Sequence, residues 1–425
     1  MRAAAGRTCV PRRRVLIVVE NNMVPLDRRV WYEATALRDA GWQVAVICPR
    51  AEGSHDAAGA AWYKPVGSAE NLDGVTVYRF SLAFAEHGVL DYFREYAKAF
   101  LSIALLSWQA WRSERFDILH LCNPPDILFP IGLFYRLLGA KFVFDHHDLF
   151  PESVAWRYRG RVGSLLYAAS RIAEYLTFRS ANVVIATNES YCRVAVERGH
   201  VPAANVVLVR NGPKVKDFAP LEALPALKKG FPHMACFVGL MGVEDGIAEL
   251  IEVIQYVVYE LQRRDILFVL IGDGAERTGA LDRIRRLSLE AFVEMPGLIL
   301  DDSVLRQYIA TADVLLSPEP LTPMNDSSTF IKIGEYMAMG KPSVAFDLRE
   351  TRCTAGDAAL FILPGDIAAF ARAISDLSDH PEKRSRMGTL GLHRARETLA
   401  WENQVQNLFH AYEIALDKAN DQAAA

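Results

Sequence analysis

Paired cysteines are missing from this sequence. Its six cysteines (Cys9, Cys48, Cys122, Cys192, Cys236 and Cys353) are scattered, with no CxxC pair. That excludes a zinc-ribbon pattern and fits reduced cytosolic thiols better than a disulfide framework. An excess of basic charge is also missing: the formal net charge is −4 at pH 7, which gives no reason to expect a nucleic-acid partner. No apolar run can span a bilayer, because the longest stretch, Ala97–Trp111, is interrupted by Lys98 and Gln109. Arg12-Arg13-Arg14 precedes a short apolar run, Val15–Val19, that Glu20-Asn21-Asn22 ends, too short for a secretory core segment. A disordered leader over residues 1–14 followed by a first strand is the expectation. There is no solenoid repeat, and no low-complexity tract beyond the tail at Ala423–Ala425.

What is present is a chain of 425 residues, 51% hydrophobic and 23% charged, long enough for two domains with large cores. Short apolar runs such as Val15–Glu20, Ile118–Cys122 and Lys141–Phe144 alternate with helical patterns such as Arg28–Ala40 and Asp126–Leu138. A second series starts near residue 233, with strands at His233–Val238, Leu267–Ile271, Val293–Met295, Val314–Ser317 and Ser343–Asp347. Alternation of this kind means βαβ units and mostly parallel sheets. The expected fold class is α/β, two doubly wound Rossmann-like domains facing across a cleft. The boundaries expected are 15–220 and 221–395, with a C-terminal helical stretch at 396–425 crossing back to the first domain. Ligands of such sheets bind beyond the carboxyl ends of the strands.

The most informative stretch is Asp326–Pro342, DSSTFIKIGEYMAMGKP. Lys332 and Glu335 stand at i and i+3, which places them one above the other on a helix face. Ser327, Ser328 and Thr329 precede the helix, whose N-terminal amides and dipole suit an anion. Amides and Lys332 would hold a diphosphate, and the Glu335 carboxylate a ribose or sugar. Gly239–Gly246, GLMGVEDG, and Ile271–Glu276, IGDGAE, are glycine turns after strands, without the GxGxxG spacing of a dinucleotide site. Gly239, Gly242, Gly272, Asp273 and Gly274 are therefore candidates for close backbone approach to a base or ribose.

Three loops mark the first domain. ENNMVPLDRR (Glu20–Arg29) contains Asn22 and Arg28, with Asp27 expected as N-cap. HLCNPPD (His120–Asp126) offers His120 and Asn123, with Asp126 expected as a cap; a packed histidine is the competing reading for His120. Asp145-His146-His147-Asp148 closes the fifth strand. Contiguous strand residues face opposite ways and rarely converge on one ion, so no metal is expected there. One histidine facing the cleft, with Asp148 capping the next helix, is the expectation, since a histidine can donate to a sugar hydroxyl at neutral pH. Residues 84–115 interleave Phe84, Leu90, Tyr92, Phe93, Tyr96, Leu101, Leu105, Trp108 and Trp111 with Arg94, Lys98, Arg112 and Arg115. That pattern reads either as a membrane-surface helix or as a core helix.

Taken together, these pieces resemble glycosyltransferase family 4, retaining enzymes of GT-B fold, over nearly the whole chain. The resemblance rests on Leu26–Arg29, His120–Asp126, Asp145–Glu152, Asn211-Gly212, Gly272–Gly274 and Glu335–Pro342, and is strongest to bacterial members that build lipid-linked surface polysaccharides. It implies that Glu335 binds the nucleotide ribose, that His147 contacts the donor sugar, and that Gly272–Gly274 lie near the base. It also implies that the amides of Ser328 and Thr329 hold the diphosphate. Two departures stand out. Ser327 occupies the position of the family's first motif glutamate, with Asp326 adjacent as a substitute, and Leu240 and Asp245 stand where the family carries two diphosphate-binding cations. Lys332 is the candidate replacement, with Arg28, Arg29 and Arg210 as further cations.

The sequence thus predicts a transferase that moves a hexosyl group from a nucleotide sugar to a lipid-linked glycan acceptor with retention. His147, Asp326 and Lys332 are the catalytic candidates, and Asn22, Arg28, His120 and Asn123 the acceptor-side or cleft residues. The enzyme is expected to need no cofactor or metal, and to be cytoplasmic and peripheral at the inner face of the cell membrane. A nucleotide-sugar 2-epimerase of the same architecture and a non-catalytic scaffold remain alternatives. Donor and acceptor identity lie in loops such as Glu52–Leu72, which sequence does not resolve.

Overall fold

The structure, a computed structural model, describes residues 13–51, 69–82, 89–158 and 160–417. Residues 1–12 of the expected leader, the 52–72 loop up to residue 68, Phe84 and the Ala423–Ala425 tail lie outside the described residues, as do the side chains of Leu90, Tyr92 and Phe93. The chain divides into two compact units: one runs to Val209 and is rejoined from Val405 on, and the other is Arg210–Gln404.

The first unit comprises β1 (Arg14–Val18), α1 (Arg28–Asp39), β2 (Gln43–Ala51), β3 (Ala69–Leu72), β4 (Val75–Leu82), α2 (Val89–Ser113), β5 (Ile118–Cys122), α3 (Phe129–Leu137), β6 (Lys141–His146), α4 (Phe150–Arg157), α5 (Gly160–Ser180), β7 (Val183–Ala186), α6 (Glu189–Arg193) and β8 (Val206–Leu208). Its strands lie in the order β3-β4-β2-β1-β5-β6-β7-β8. All pairs are parallel except β3 with β4. Residues 15–19 are all buried, as expected of a strand covered on both faces.

The second unit comprises β9 (His233–Val238), α7 (Ile247–Gln255), β10 (Ile266–Ile271), α8 (Arg277–Arg286), β11 (Val293–Gly297), α9 (Asp302–Thr311), β12 (Val314–Ser317), α10 (Pro323–Ser327), α11 (Ile331–Ala338), β13 (Ser343–Phe346), α12 (Arg349–Ala355), β14 (Ala359–Ile362), α13 (Ile367–Asp379) and α14 (Pro381–Arg394). The helix α15 (Trp401–Leu416) begins in this unit and ends in the first. The strand order is β11-β10-β9-β12-β13-β14, all parallel. Strand β9 shows why the sheet is buried on both sides. Ala235 and Phe237 enter one core cluster with α7 and α13, while Met234 and Cys236 enter another with α9 and α11.

Each sheet has a point where the chain reverses its direction of winding, between β1 and β5 in the first and between β9 and β12 in the second. These are the positions at which doubly wound sheets open a crevice for ligands.

Several local expectations change. Asp27 is the N-cap of α1, its side chain accepting from Val30 N. Asp126 is not a cap: it sits in a short 3-10 turn, Asp126–Leu128, fully buried, and accepts from Asn123 Nδ2 at 3.0 Å. Helix α4 opens from Leu149, one residue beyond the cap expected at Asp148, with Pro151 in its first turn. Helix α2 has a core side, as the core-helix reading expects, and an exposed apolar side. Ala99, Ile103, Leu106 and Ala110 join the core, whereas Leu101, Leu105 and Trp108 are exposed.

Candidate active site

The first unit gathers a buried polar cluster at its winding reversal. Arg29 follows β1 on α1, His120 lies on β5, and Asp145 is the next-to-last residue of β6, in register with Cys122. Arg29 grips Asp145 with both prongs, Nε to Oδ2 at 3.0 Å and Nη2 to Oδ1 at 2.7 Å. Its third nitrogen donates to the Val209 carbonyl at 2.8 Å, and Nη2 also approaches Glu33 Oε1 at 3.2 Å. Such a planar fork suits a carboxylate and fixes it in place.

Charge in this cluster follows from burial and neighbours. Burial pushes the Asp145 carboxyl up, but the Arg29 charge and then His147 outweigh it and hold it well below the usual carboxylate range. Burial, then the Asp145 charge, push Glu33 well above that range. Burial lowers His120, which keeps it neutral. The cluster is therefore an Arg29–Asp145 ion pair beside a neutral Glu33 and a neutral His120.

His120 was placed on the acceptor side or cleft by the sequence. It has no exposed surface, its Nδ1 lies 2.8 Å from the Tyr412 hydroxyl on α15, and its Nε2 lies 3.4 Å from Asp145 Oδ2. It is the packed histidine of the two readings. Asn123 is likewise fully buried: its Oδ1 accepts from the backbone N–H of His147 at 2.6 Å and of Asp148 at 3.2 Å, and its Nδ2 donates to the Asp148 carbonyl. Neither side chain is open to solvent, and Asn123 holds the loop that follows β6. That loop presents His147, whose side chain keeps 15% of its surface exposed and whose Nε2 lies 2.6 Å from Asp145 Oδ2. If Nε2–H donates to this carboxylate, Nδ1 is the acceptor nitrogen. Asn22 is exposed and accepts from Met23 N at 2.9 Å, and Arg28 is half-buried.

His120, Cys122 and Asp145 carry ligand-type atoms within 4.8 Å of one another. Both Asp145 oxygens are taken by Arg29, and burial raises the Cys122 thiol well above its ordinary value. A cation there would have to displace a guanidinium and ionise a buried thiol, so these residues do not fit a metal.

The second unit brings its candidates together at the other winding reversal. Lys332, on the first turn of α11, reaches back to Glu319, which follows β12; Nζ lies 2.5 Å from Oε1. Glu319 is fully buried, and its other oxygen accepts from the Ser317 hydroxyl. The ammonium also stands 4.2 Å from the Phe237 ring centroid, a cation–π contact. It occupies the space beside Gly239, where a Cβ would lie 2.8 Å from Nζ. Glu319 is the site residue sequence reasoning missed, because Ser317–Pro323 reads only as a proline-rich loop. Lys332 thus pairs with Glu319 rather than simply facing along its helix toward Glu335, which is itself buried.

The two glycine turns interlock. Gly272 has φ +145, and a Cβ there would meet the Gly239 carbonyl oxygen at 1.8 Å. Met241 N donates to the Asp273 carbonyl at 3.0 Å and Glu276 N to the Met241 carbonyl at 2.8 Å. Asp273 and Gly274 are exposed at this edge. Gly242 N donates to Asp245 Oδ2 at 2.8 Å. Burial pushes Asp245 up to about 6, against the lowering effect of Lys332. Asn325 secures the turn from below, donating to the carbonyls of Glu244 and Pro320, each at 2.9 Å.

The hydroxyl run lies between α10 and α11. Ser328 donates its backbone N–H to the Asn325 carbonyl at 3.2 Å and its hydroxyl to Met324 O at 2.8 Å. Its amide is therefore engaged within the chain, while Ser327 and Thr329 flank it half-buried. Asp326 faces α12, where Oδ1 accepts from Arg349 N at 2.8 Å and Oδ2 lies 3.3 Å from Arg349 Nη2.

Comparison with known proteins agrees with this layout. A glycosyl transferase 4-like domain matches residues 26–212, and a glycosyl transferases group 1 domain matches residues 232–380. Sucrose-phosphate synthase from Thermosynechococcus elongatus is 18% identical with a TM-score of 0.76, covering 95% of this chain and 98% of that one. Anabaena HepE in complex with UDP and glucose is 15% identical with a TM-score of 0.68, covering 94% and 99%. An E. coli trehalose-6-phosphate structure bound with UDP-2-fluoro glucose is 14% identical with a TM-score of 0.69, covering 95% and 99%. Among curated proteins, the chitobiosyldiphosphodolichol beta-mannosyltransferase of Candida glabrata is 27% identical over 94 residues, 22% of this chain. The match spans 21% of the length of that curated relative. The chain belongs to the glycosyltransferases of GT-B fold, built from a glycosyl transferase 4-like domain and a glycosyl transferases group 1 domain.

Proposed function

We propose that this glycosyltransferase binds a nucleotide-sugar donor on its second unit and transfers the sugar, with retention, to a lipid-linked glycan in bacterial surface-polysaccharide synthesis. The observation that carries the reading is Lys332, anchored by buried Glu319 at the winding reversal of the second sheet. An ammonium has three N–H donors, of which Glu319 takes one. The others can meet the oxygens of a diphosphate, which the glycine turns Gly239–Gly242 and Gly272–Gly274 would allow to approach closely. Glu335 would take the ribose hydroxyls. HepE was solved with UDP and glucose, which supports a nucleotide-sugar donor for this chain as well. The name of the Candida relative, a transferase to a diphosphodolichol-linked sugar, supports a lipid-linked acceptor.

In the proposed reaction the acceptor oxygen bonds to the sugar's anomeric carbon as the bond to the nucleotide diphosphate breaks. The acceptor proton passes to the departing phosphate on the same face. The protein positions the reactants and stabilises charge on the leaving diphosphate. His147, oriented by Asp145 and by the Asn123-held backbone, would contact the donor sugar. No metal is required, because Lys332 and backbone amides supply positive character. The reaction would take place on the cytoplasmic side of the cell membrane, with the enzyme bound peripherally.

A thermal-shift screen of nucleotide sugars against wild type and Glu335→Ala tests the reading. A donor that stabilises wild type and not the variant supports it, and the absence of any stabilising nucleotide sugar contradicts it. NMR of the product decides the stereochemistry. The Candida relative is named for a β-linked product, so a β-glycoside from an α-configured donor would replace retention with inversion. An isomerised nucleotide sugar formed without acceptor would replace transfer with epimerisation.

A further inference from the structure

The first unit carries an apolar face that its core does not use. Helix α2 buries Ala99, Ile103, Leu106 and Ala110 on one side. On another side Lys98, Leu101, Leu105, Trp108 and Arg112 follow each other at spacings of three and four, all exposed. Leu101 and Leu105 are 61% and 70% exposed, and the stripe has a cation at each end.

The face continues onto neighbouring helices. Trp108 meets Phe134 of α3 edge-on at 6.0 Å, and Tyr135 of α3 donates to Ser107 of α2. On α3, Leu137 is 87% exposed, and on α5, which packs against α3, Leu165 and Ile172 are 71% and 62% exposed. A groove of about 310 Å³ lies between α2 and α3, lined by Phe100, Ala104, Trp108, Ile131 and Phe134 among others. The Trp108–Phe134 contact joins the α2 and α3 parts, and a joined exposed apolar patch marks an interaction site rather than scattered surface leucines.

Charge selects the partner. Residues 94–113 of α2 together with α3 and α5 hold seven basic side chains (Arg94, Lys98, Arg112, Arg136, Arg161, Arg171 and Arg179) against two acidic ones, Glu95 and Glu174. Glu174 is buried and paired with Arg198. These helices are therefore net cationic on a chain whose net charge is −4, and Arg94, Lys98 and Arg112 are exposed on α2 itself. Apolar anchors framed by lysine and arginine match the boundary between headgroups and acyl chains of an anionic bilayer.

We infer that the α2–α3–α5 face docks the protein onto an anionic lipid bilayer, with Leu101, Leu105 and Trp108 entering the headgroup boundary and the α2–α3 groove opening to the lipid chains. No described helix is long and apolar enough to cross a membrane, so this is surface attachment. The inference rests on the peripheral-membrane reading above and gives it a surface.

The test is vesicle flotation of the full chain without donor or acceptor. Vesicles of phosphatidylcholine alone are compared with vesicles containing phosphatidylglycerol. Wild type should float with the anionic vesicles, and added salt should weaken binding, as for any contact made by exposed charges. The Leu101→Ser/Leu105→Ser/Trp108→Ser variant should bind the anionic vesicles at least about tenfold more weakly. The Lys98→Glu/Arg112→Glu variant changes only exposed charges and should lose a similar factor. Donor-induced thermal shift, measured on the same samples, should stay at the wild-type value. Absence of a donor shift in wild type would count against the donor reading while leaving vesicle binding to decide this one, so the two failures are separable. Undiminished vesicle binding by both variants, or no binding by wild type, overturns the inference. So does light scattering that shows a wild-type dimer made monomeric by either variant, because the face would then be a subunit contact.

Discussion

Each unit sets a basic side chain against a buried carboxylate at the winding reversal of its sheet, and the two pairs are built differently. Arg29 is buried, bound through both prongs to Asp145 and through its third nitrogen to the Val209 carbonyl. Lys332 makes one hydrogen bond to Glu319, leans on an aromatic ring, and keeps 10% of its side chain exposed. A guanidinium used on three sides organises the loops around it. An ammonium used on one side can still give N–H groups to a ligand. The same motif of charge and position therefore serves structure in the first unit and, in the proposed reading, recognition in the second.

The largest expected effect tests the structural half. Asp145→Ala removes the carboxylate that takes two of the Arg29 hydrogen bonds and leaves Glu33 as the nearest acid; breaking a buried pair costs about 3–5 kcal/mol in comparable settings. Denaturant unfolding should show that loss, and a loss below about 1 kcal/mol would mean that Glu33 or water can replace Asp145 and that the contrast with Lys332 is false.

A smaller effect tests the electrostatics of the second unit. Burial favours the neutral form of Asp245 and pushes it up to about 6. Above that pH its negative charge stands near Lys332 and opposes a diphosphate; below it the opposition disappears. Donor affinity should therefore rise as pH falls through about 6. Asp245→Asn should bind donor severalfold more tightly at pH values well above that, and should flatten the dependence. Weaker binding by this variant would show that the carboxylate helps the donor instead.

The smallest effect concerns Asp326, which is engaged with Arg349 on α12. Asp326→Asn keeps an acceptor for the Arg349 amide, and donor affinity should change by less than about twofold, the scale of ordinary surface substitutions. A large loss would return Asp326 to the role of the family's first motif glutamate and weaken the emphasis on Lys332.

Much of the fold was legible because buried parallel strands are continuous apolar runs. Ile118–Cys122, His233–Val238 and Val314–Ser317 coincide with the strands observed. Other elements carry less signal. Ala69–Leu72 has no β-branched residue, and it pairs as an antiparallel edge whose partner β4 determines it. The first-unit segments His120–Asp126 and Asp145–Asp148 read as ligand surface because they hold histidine, asparagine and aspartate. Burial then separated them: His120 and Asn123 went inside, and His147 kept an exposed edge. Partners far apart in the chain were not legible. Arg29 meets Asp145 across 116 residues and Tyr412 meets His120 across 292, distances over which no periodicity speaks. Glu319 was hidden among prolines, although Lys332 lies only 13 residues on.

The most direct test of the account is nucleotide-sugar affinity, by calorimetry, for wild type against Lys332→Ala with the donor that the thermal-shift screen identifies. Removing one charge-assisted contact of about 1.5–3 kcal/mol should weaken binding by more than tenfold, in a variant whose unfolding remains cooperative. Unchanged affinity would contradict the claim that the second unit holds its donor through Lys332.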